Sequence, residues 1–194
     1  MGAYPVLRRF TVEEYLRFER ASTAKSEFVN GQIYAMAGGT SDHARIVVNM
    51  AVRLQNQLED GKCEVWTSDF RIAVSPTGPE FYPDLSVICG EPQFLDDTQD
   101  CALNPVVLFE VLSKSTAKYD RETKVAWYRE IPTARHIALV SQHIIAVEHY
   151  VRLSSGEWKT EKLTDLAAVL ELPAIDATLT LSAIYNKVGL PSRT

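Results

Sequence analysis

The chain has 194 residues, 46% of them hydrophobic and 23% charged, and a formal charge of −5. Those values fit one globular domain spanning 1–194. The acidic balance argues against a strongly basic nucleic-acid coat, which works by neutralising phosphates with Lys and Arg, but leaves room for a local basic patch or a metal ion.

In chain order, Thr11 followed by Glu14 forms a capping box that opens a helix, TVEEYLRFER, with Val12, Tyr15, Leu16 and Phe18 facing inward. Asn30-Gly31 between the apolar runs of EFVNGQIYAMA is the strongest hairpin signal in the chain. Gly38-Gly39 breaks the strand, and Ser41 or Asp42 caps a long helix whose apolar positions are Ile46, Val47, Met50, Val52 and Leu54; Gly61 follows its end. Strand character begins at Cys63 with CEVWTSDFRIAV, turns at PTGPE and resumes in YPDLSVIC, after which 90–104 reads as a polar loop. VVLFEVL is a nearly continuous apolar run suited to a central strand buried on both faces. A helix over 116–130 is stopped by Pro132, and strands follow in HIALVS, IIAVEHYVRL and EWKTEKL, the last two joined at Ser155-Gly156; the tail ends in a short helix. This order predicts an α/β protein with a mixed sheet flanked by helices.

Cys63, Cys89 and Cys101 show no paired spacing, so no disulfide or zinc knuckle is expected and a reducing cytoplasm is the default. The opening MGAYPVLRRF has no signal-peptide core, and no apolar run approaches the roughly 20 residues needed to span a bilayer. The reading is a soluble, cytoplasmic protein.

Glu110 is the most informative residue, because every neighbour in its run is apolar. A carboxylate taken out of water costs several kcal/mol unless it is paired or bound to a metal. It can equally pair with a buried Arg or Lys, or lie at a solvated strand end. Asp84 follows Pro83, which fits a strand start, so its carboxylate leaves the end of LSVIC; by itself the dipeptide is also an ordinary turn. Two hard-oxygen ligands on neighbouring strands suit Mg²⁺ or Mn²⁺. Asp120, Lys124 and Tyr128 recur every four residues and line one helix face, where Asp120–Lys124 is otherwise a routine ion pair. That helix begins just beyond Glu110, so its face can point back at the acids.

Pro83-Asp84 followed by Glu110 in a hydrophobic strand resembles the PD-(D/E)XK nuclease superfamily, whose fold is called restriction-endonuclease-like. Within it the chain is similar, over a core of about 11–188, to the Uma-two family of restriction endonucleases, through KSEFVNGQI, the His of TSDHARIV, the Asp of TSDFRI, YPDLSVIC, FEVLSKST, DRETKVAWYRE and the closing VLELPAIDATLTLSAIY. The resemblance implies a metal-dependent phosphodiester hydrolase in which Asp84 and Glu110 bind the metal. The superfamily's lysine normally lies two positions after the second acid, where this chain has Leu112; Lys124 on the following helix fits that role. Glu27 matches an acid that such folds supply from the first helix-hairpin region, as a further metal ligand; otherwise it is a hairpin-flanking charge. His43 and Asp69 match family landmarks, His43 at a helix start whose backbone N–H groups can meet a phosphate. Ser113 and Tyr128 support the site by packing or hydrogen bonds. Ser141 departs from the family, which often has Asp there.

The function expected from this resemblance is a Mg²⁺- or Mn²⁺-dependent endonuclease acting on DNA, with a homodimer plausible for cutting both strands. The alternative is a catalytically inactive nuclease-fold protein that binds DNA or a protein partner. A glycosidase carboxylate pair is a remoter reading, lacking a groove-lining aromatic set.

Overall fold

The computed structural model describes residues 8–36 and 38–190. The first seven residues, on which the absence of a leader was largely read, and the last four lie outside the described residues. Thr11 opens helix α1 (Val12–Ala21) through the expected box: its hydroxyl accepts from the Glu14 N–H, and the Glu14 carboxylate accepts from the Thr11 N–H. Tyr15 and Leu16 are buried, but Phe18 is 50% exposed. The third inward position belongs to Glu19, whose carboxylate accepts from the Ser26 N–H and the Tyr82 hydroxyl. Strands β1 (Ser26–Val29) and β2 (Gln32–Ala35) form the predicted hairpin, with positive φ at both Asn30 and Gly31 as a type I′ turn requires.

Helix α2 (Ser41–Leu58) is capped by Thr40 rather than by Ser41 or Asp42, since it is the Thr40 hydroxyl that accepts from the His43 N–H. Its buried stripe is Ile46, Met50, Leu54 and Leu58, spaced by four, which leaves Val52 exposed on another face. Beyond it come β3 (Cys63–Thr67), β4 (Arg71–Ala73), β5 (Glu80–Phe81), β6 (Leu85–Cys89), β7 (Cys101–Ala102) and β8 (Pro105–Leu112). A helical segment over 117–128 consists of α3 (Ala117–Tyr119), one π turn over Asp120–Lys124 and α4 (Val125–Tyr128). The rest is β9 (His136–Ser141), β10 (Val147–Arg152), β11 (Trp158–Leu163), β12 (Val169–Leu172), β13 (Ala177–Thr180) and α5 (Leu181–Ile184).

The main sheet has the order β11-β10-β9-β8-β6-β3, with β8 and β9 parallel and the other neighbours antiparallel. As the apolar run predicted, β8 is interior and covered on both faces. Val107, Phe109 and Val111 point into a layer with Ile46, Met50 and Leu54 of α2 and Leu170 and Leu179 of the β12–β13 hairpin. Leu108 and Leu112 point the other way, against Val125 and Tyr128 of the 117–128 helix. Each such side chain contributes about 1.5–3 kcal/mol on burial, so β8 is firmly held in register. Glu110 has the parity of Leu108 and Leu112 and therefore faces the helix.

A second sheet, β2-β1-β5-β4-β7, joins the hairpin to short strands. One of these, β7, lies inside 90–104, where the sequence predicts a loop; two residues pairing with β4 are too few to show a period. The β12–β13 hairpin was also not anticipated. Cys63 and Cys89 are direct partners in the β3–β6 register and are joined by a disulfide, contrary to the expectation of none. The pairing of the two strands, and not the cysteine spacing, brings them together. Cys101 is free and buried.

A chain of hydrogen-bonded side chains, buried at His136 and His149, ties β9, β10 and β11 together. The Ala174 N–H donates to His136 Nε2, so the neutral ring donates from Nδ1 to His149 Nε2, and His149 Nδ1–H in turn reaches Glu161. Burial pushes His136 down to about 4, with His149 and Arg135 acting in the same direction. Stability from this neutral pair is present above the unfolded value near 6.5 and is lost as pH falls toward 4, by something on the order of 2 kcal/mol. Urea midpoints measured from pH 7 to pH 4 should therefore fall more steeply for the parent than for His136→Gln. Equal slopes would mean that the pair is not held neutral. The comparison must be differential, because Glu80, pushed up to about 7 by burial, acts with the opposite sign.

Candidate active site

Three elements deliver the acids. Leu85 pairs with Phe109 across β6 and β8, so the preceding residue, Asp84, comes alongside Glu110. The Asp84 Oδ2 accepts from the Val111 N–H at 2.6 Å and lies 3.2 Å from His43 Nε2. Glu27 enters from β1, where its Oε1 accepts from the Tyr82 N–H at 3.2 Å. Lys124 descends from the π turn between them. Its Nζ is 2.7 Å from Glu27 Oε1, 3.2 Å from each Glu110 oxygen and 3.9 Å from Asp120 Oδ1. The Tyr128 hydroxyl donates to Glu110 Oε1 at 2.6 Å. Glu27, Glu110, Asp120, Lys124 and Tyr128 are all buried.

Three buried carboxylates thus surround one buried ammonium. Burial pushes Glu110 well above the carboxylate range, with Lys124 opposing the shift and Asp120, Asp84 and Glu27 reinforcing it. Asp120 is raised for the same leading reason. For Lys124, burial alone would favour the neutral amine, but Glu110, Glu27 and Asp120 together outweigh it and hold the ammonium charged. The hydrogen bond to Asp84 raises His43. Among the described residues, no three His, Cys, Asp or Glu side chains converge as a ready-made metal cage; the Lys124 ammonium sits between Glu27 and Glu110 instead. The donor set nevertheless fits Mg²⁺ or Mn²⁺ in kind, being all hard oxygens with negative charge in excess.

A family model described as "Putative restriction endonuclease", Uma2, matches residues 12–183. The chain belongs to the Uma2 family. Two uncharacterized proteins of Synechocystis sp. are similar along most of their length. One, sll1609, is 36% identical over 161 residues, covering 83% of this chain and 91% of its own. The other, slr1290, is 34% identical over 178 residues, covering 92% of each. A crystal structure described as a "putative nuclease belonging to DUF820" from Anabaena variabilis superposes with a TM-score of 0.75 at 14% identity, covering 91% of this chain and 97% of that one. At that identity the likeness concerns the fold, and it agrees with the restriction-endonuclease-like architecture expected of a Uma2 chain.

The structure brings Asp84, Glu110, Glu27, Lys124, Asp120, Tyr128 and His43 of this Uma2 protein into one cluster. Two other residues on the expected list go elsewhere. The Asp69 side chain is 83% exposed in the turn between β3 and β4 and pairs with Lys25. Ser113 exchanges hydrogen bonds with Ser115 and Thr116 in the loop after β8, ordering the entry to the helix and not reaching the acids. Sequence reasoning missed Tyr119, whose ring centroid lies 6.0 Å from Lys124 Nζ and whose hydroxyl faces Glu27. An α-helical period puts positions 119 and 124 on different faces. The π turn, whose backbone bonds span five residues, brings them together.

Proposed function

We propose that this protein is a metal-dependent nuclease that hydrolyses phosphodiester bonds in DNA. The observation that carries the reading is the buried set of Glu27, Glu110 and Asp120 around Lys124, with Asp84 alongside Glu110. Asp84, Glu110 and Glu27 would hold Mg²⁺ or Mn²⁺, which when bound lowers the pKa of a coordinated water and neutralises phosphate charge. The protein's own groups do the rest. The Val111 N–H and His43 fix the Asp84 carboxylate from one side, leaving its other oxygen to the site. Tyr128 holds Glu110 in place. Lys124 is the group able to donate to a phosphate oxygen or to orient the attacking water. The apolar walls on β8 exclude bulk solvent and strengthen each of these interactions.

Among the described residues no helix is long and apolar enough to cross a membrane. In this reading the enzyme acts as a homodimer with two equivalent sites related by a two-fold axis. The test is an incubation of supercoiled plasmid and of single-stranded oligonucleotide with Mg²⁺, Mn²⁺ or EDTA, using the parent and Asp84→Asn side by side. The parent should cut only with metal, and Asp84→Asn should cut neither substrate. Intact nucleic acid in every parent lane would end the nuclease reading.

A further inference from the structure

The β1–β2 register sets Tyr34 directly opposite Glu27, so both side chains leave the same face of the hairpin. Glu27 turns inward to Lys124, while Tyr34 stays at the surface with 40% of its area exposed. Its ring lies 5.7 Å from that of Tyr119, tilted by 38°. The Tyr119 ring in turn lies 6.0 Å from the Lys124 ammonium. An aromatic wall therefore runs without a break from solvent to the charged centre. Tyr34 keeps an open aromatic surface that the fold leaves uncovered. One residue before Tyr119, the Lys118 side chain is 83% exposed and lies 3.9 Å from Glu122.

We infer that Tyr34 and Tyr119 form a stacking platform for an unpaired nucleobase adjacent to the phosphate that is cut, so that the substrate is single-stranded or locally opened nucleic acid. This rests on the nuclease reading above and narrows it. A base inside a duplex is covered on both faces by its neighbours and has no π surface to offer, whereas a base in a single strand has one free. Stacking on an aromatic ring accepts every base and needs few phosphate contacts. That suits a chain of net charge −5, for which a long basic track along a duplex is a poor expectation. Lys118 is placed to meet a neighbouring phosphate of the same strand.

The experiment measures Mn²⁺-dependent cleavage of a single-stranded oligonucleotide, its blunt duplex, and single strands carrying one abasic residue at each position flanking the cut bond. The parent should prefer the single strand and should lose efficiency on one abasic substrate. Tyr34→Ala should raise KM by about ten- to a hundredfold with kcat within about twofold, and should cut intact and abasic strands alike. Tyr34→Phe and Tyr34→Trp should restore the parental preference, which a purely structural role for the hydroxyl or the ring edge would not produce. Calorimetric Mn²⁺ binding by Tyr34→Ala should match the parent. The stacking proposal is overturned if Tyr34→Ala keeps the parental KM, if the parent cuts the duplex better than the strand, or if no abasic position matters. That last comparison needs no variant and holds even if Tyr34→Ala misfolds. A parent that cuts no nucleic acid with either metal overturns the nuclease reading itself, and the platform with it.

Discussion

Glu110→Gln should abolish metal-dependent cleavage while leaving the fold nearly as stable as the parent's. Activity should drop by at least about a hundredfold, the scale expected when one group aimed at developing charge is lost. Breaking a buried ion pair ordinarily destabilises a protein by about 3–5 kcal/mol, because a charge is left without a partner. Here the ammonium keeps Glu27 at 2.7 Å and Asp120 nearby, so it is not orphaned. Burial already disfavours the ionised form of Glu110, and the amide oxygen can still accept from the Tyr128 hydroxyl. The net change in stability should stay within about 1 kcal/mol. Initial nicking rates with Mn²⁺, alongside thermal melts in chelator, separate the two effects. Parental cleavage by the variant would remove Glu110 from the site, and a melting point lower by many degrees would refute the charge-excess argument.

Lys124→Met should do the reverse, damaging stability as well as activity. It removes the one ammonium that Glu27, Glu110 and Asp120 share. The loss should be about 3–5 kcal/mol in chelator at pH 8, or roughly 6–20 °C in melting temperature for a chain of this size. The sign of its pH dependence follows from Glu110 and Asp120, both raised chiefly by burial, with Lys124 the largest opposing influence on each. Groups raised on folding lend stability below their unfolded values, here 4.5 and 3.8, and forfeit it as pH rises through the folded values. The variant should therefore lie closest to the parent in acid and furthest from it in alkali. Millimolar Mn²⁺ should recover part of the loss, since a ligand that binds only the folded state stabilises it by mass action. If no concentration of Mn²⁺ or Mg²⁺ raises the variant's melting point, these carboxylates do not form a cation site.

How much of this was legible in the sequence depends on the kind of signal. Glu110 stood out because one charge in an apolar strand is conspicuous without any tertiary knowledge, and the structure gives it the buried partner that its setting demanded. The Asn30-Gly31 turn and the Thr11–Glu14 box are equally local, and both form. What escaped depends on pairing or on an irregular period. Cys63 and Cys89 meet only once β3 is laid against β6. Tyr34 joins the site only through its register with Glu27, and Tyr119 only through the π turn. Asp69 shows the converse: its place in a family-like motif says nothing of direction, and its side chain points to solvent.

The parallel pairing of β8 with β9 has one more bearing on the lysine. Two parallel neighbours cannot be joined by a tight turn, so the chain must leave the sheet and return over one of its faces. Such connections adopt a single hand in about 98% of cases, because the twist of the strands makes the other hand pack badly. In this chain the returning segment passes over the face of Leu108, Glu110 and Leu112. A connection of the opposite hand would have carried it to the face of Val107, Phe109 and Val111, where α2 and the β12–β13 hairpin lie and no β8 carboxylate points. Chirality thus brings a helix to the buried acid whatever its sequence, and a lysine at position 124 had only to occur on a surface that handedness had already aimed.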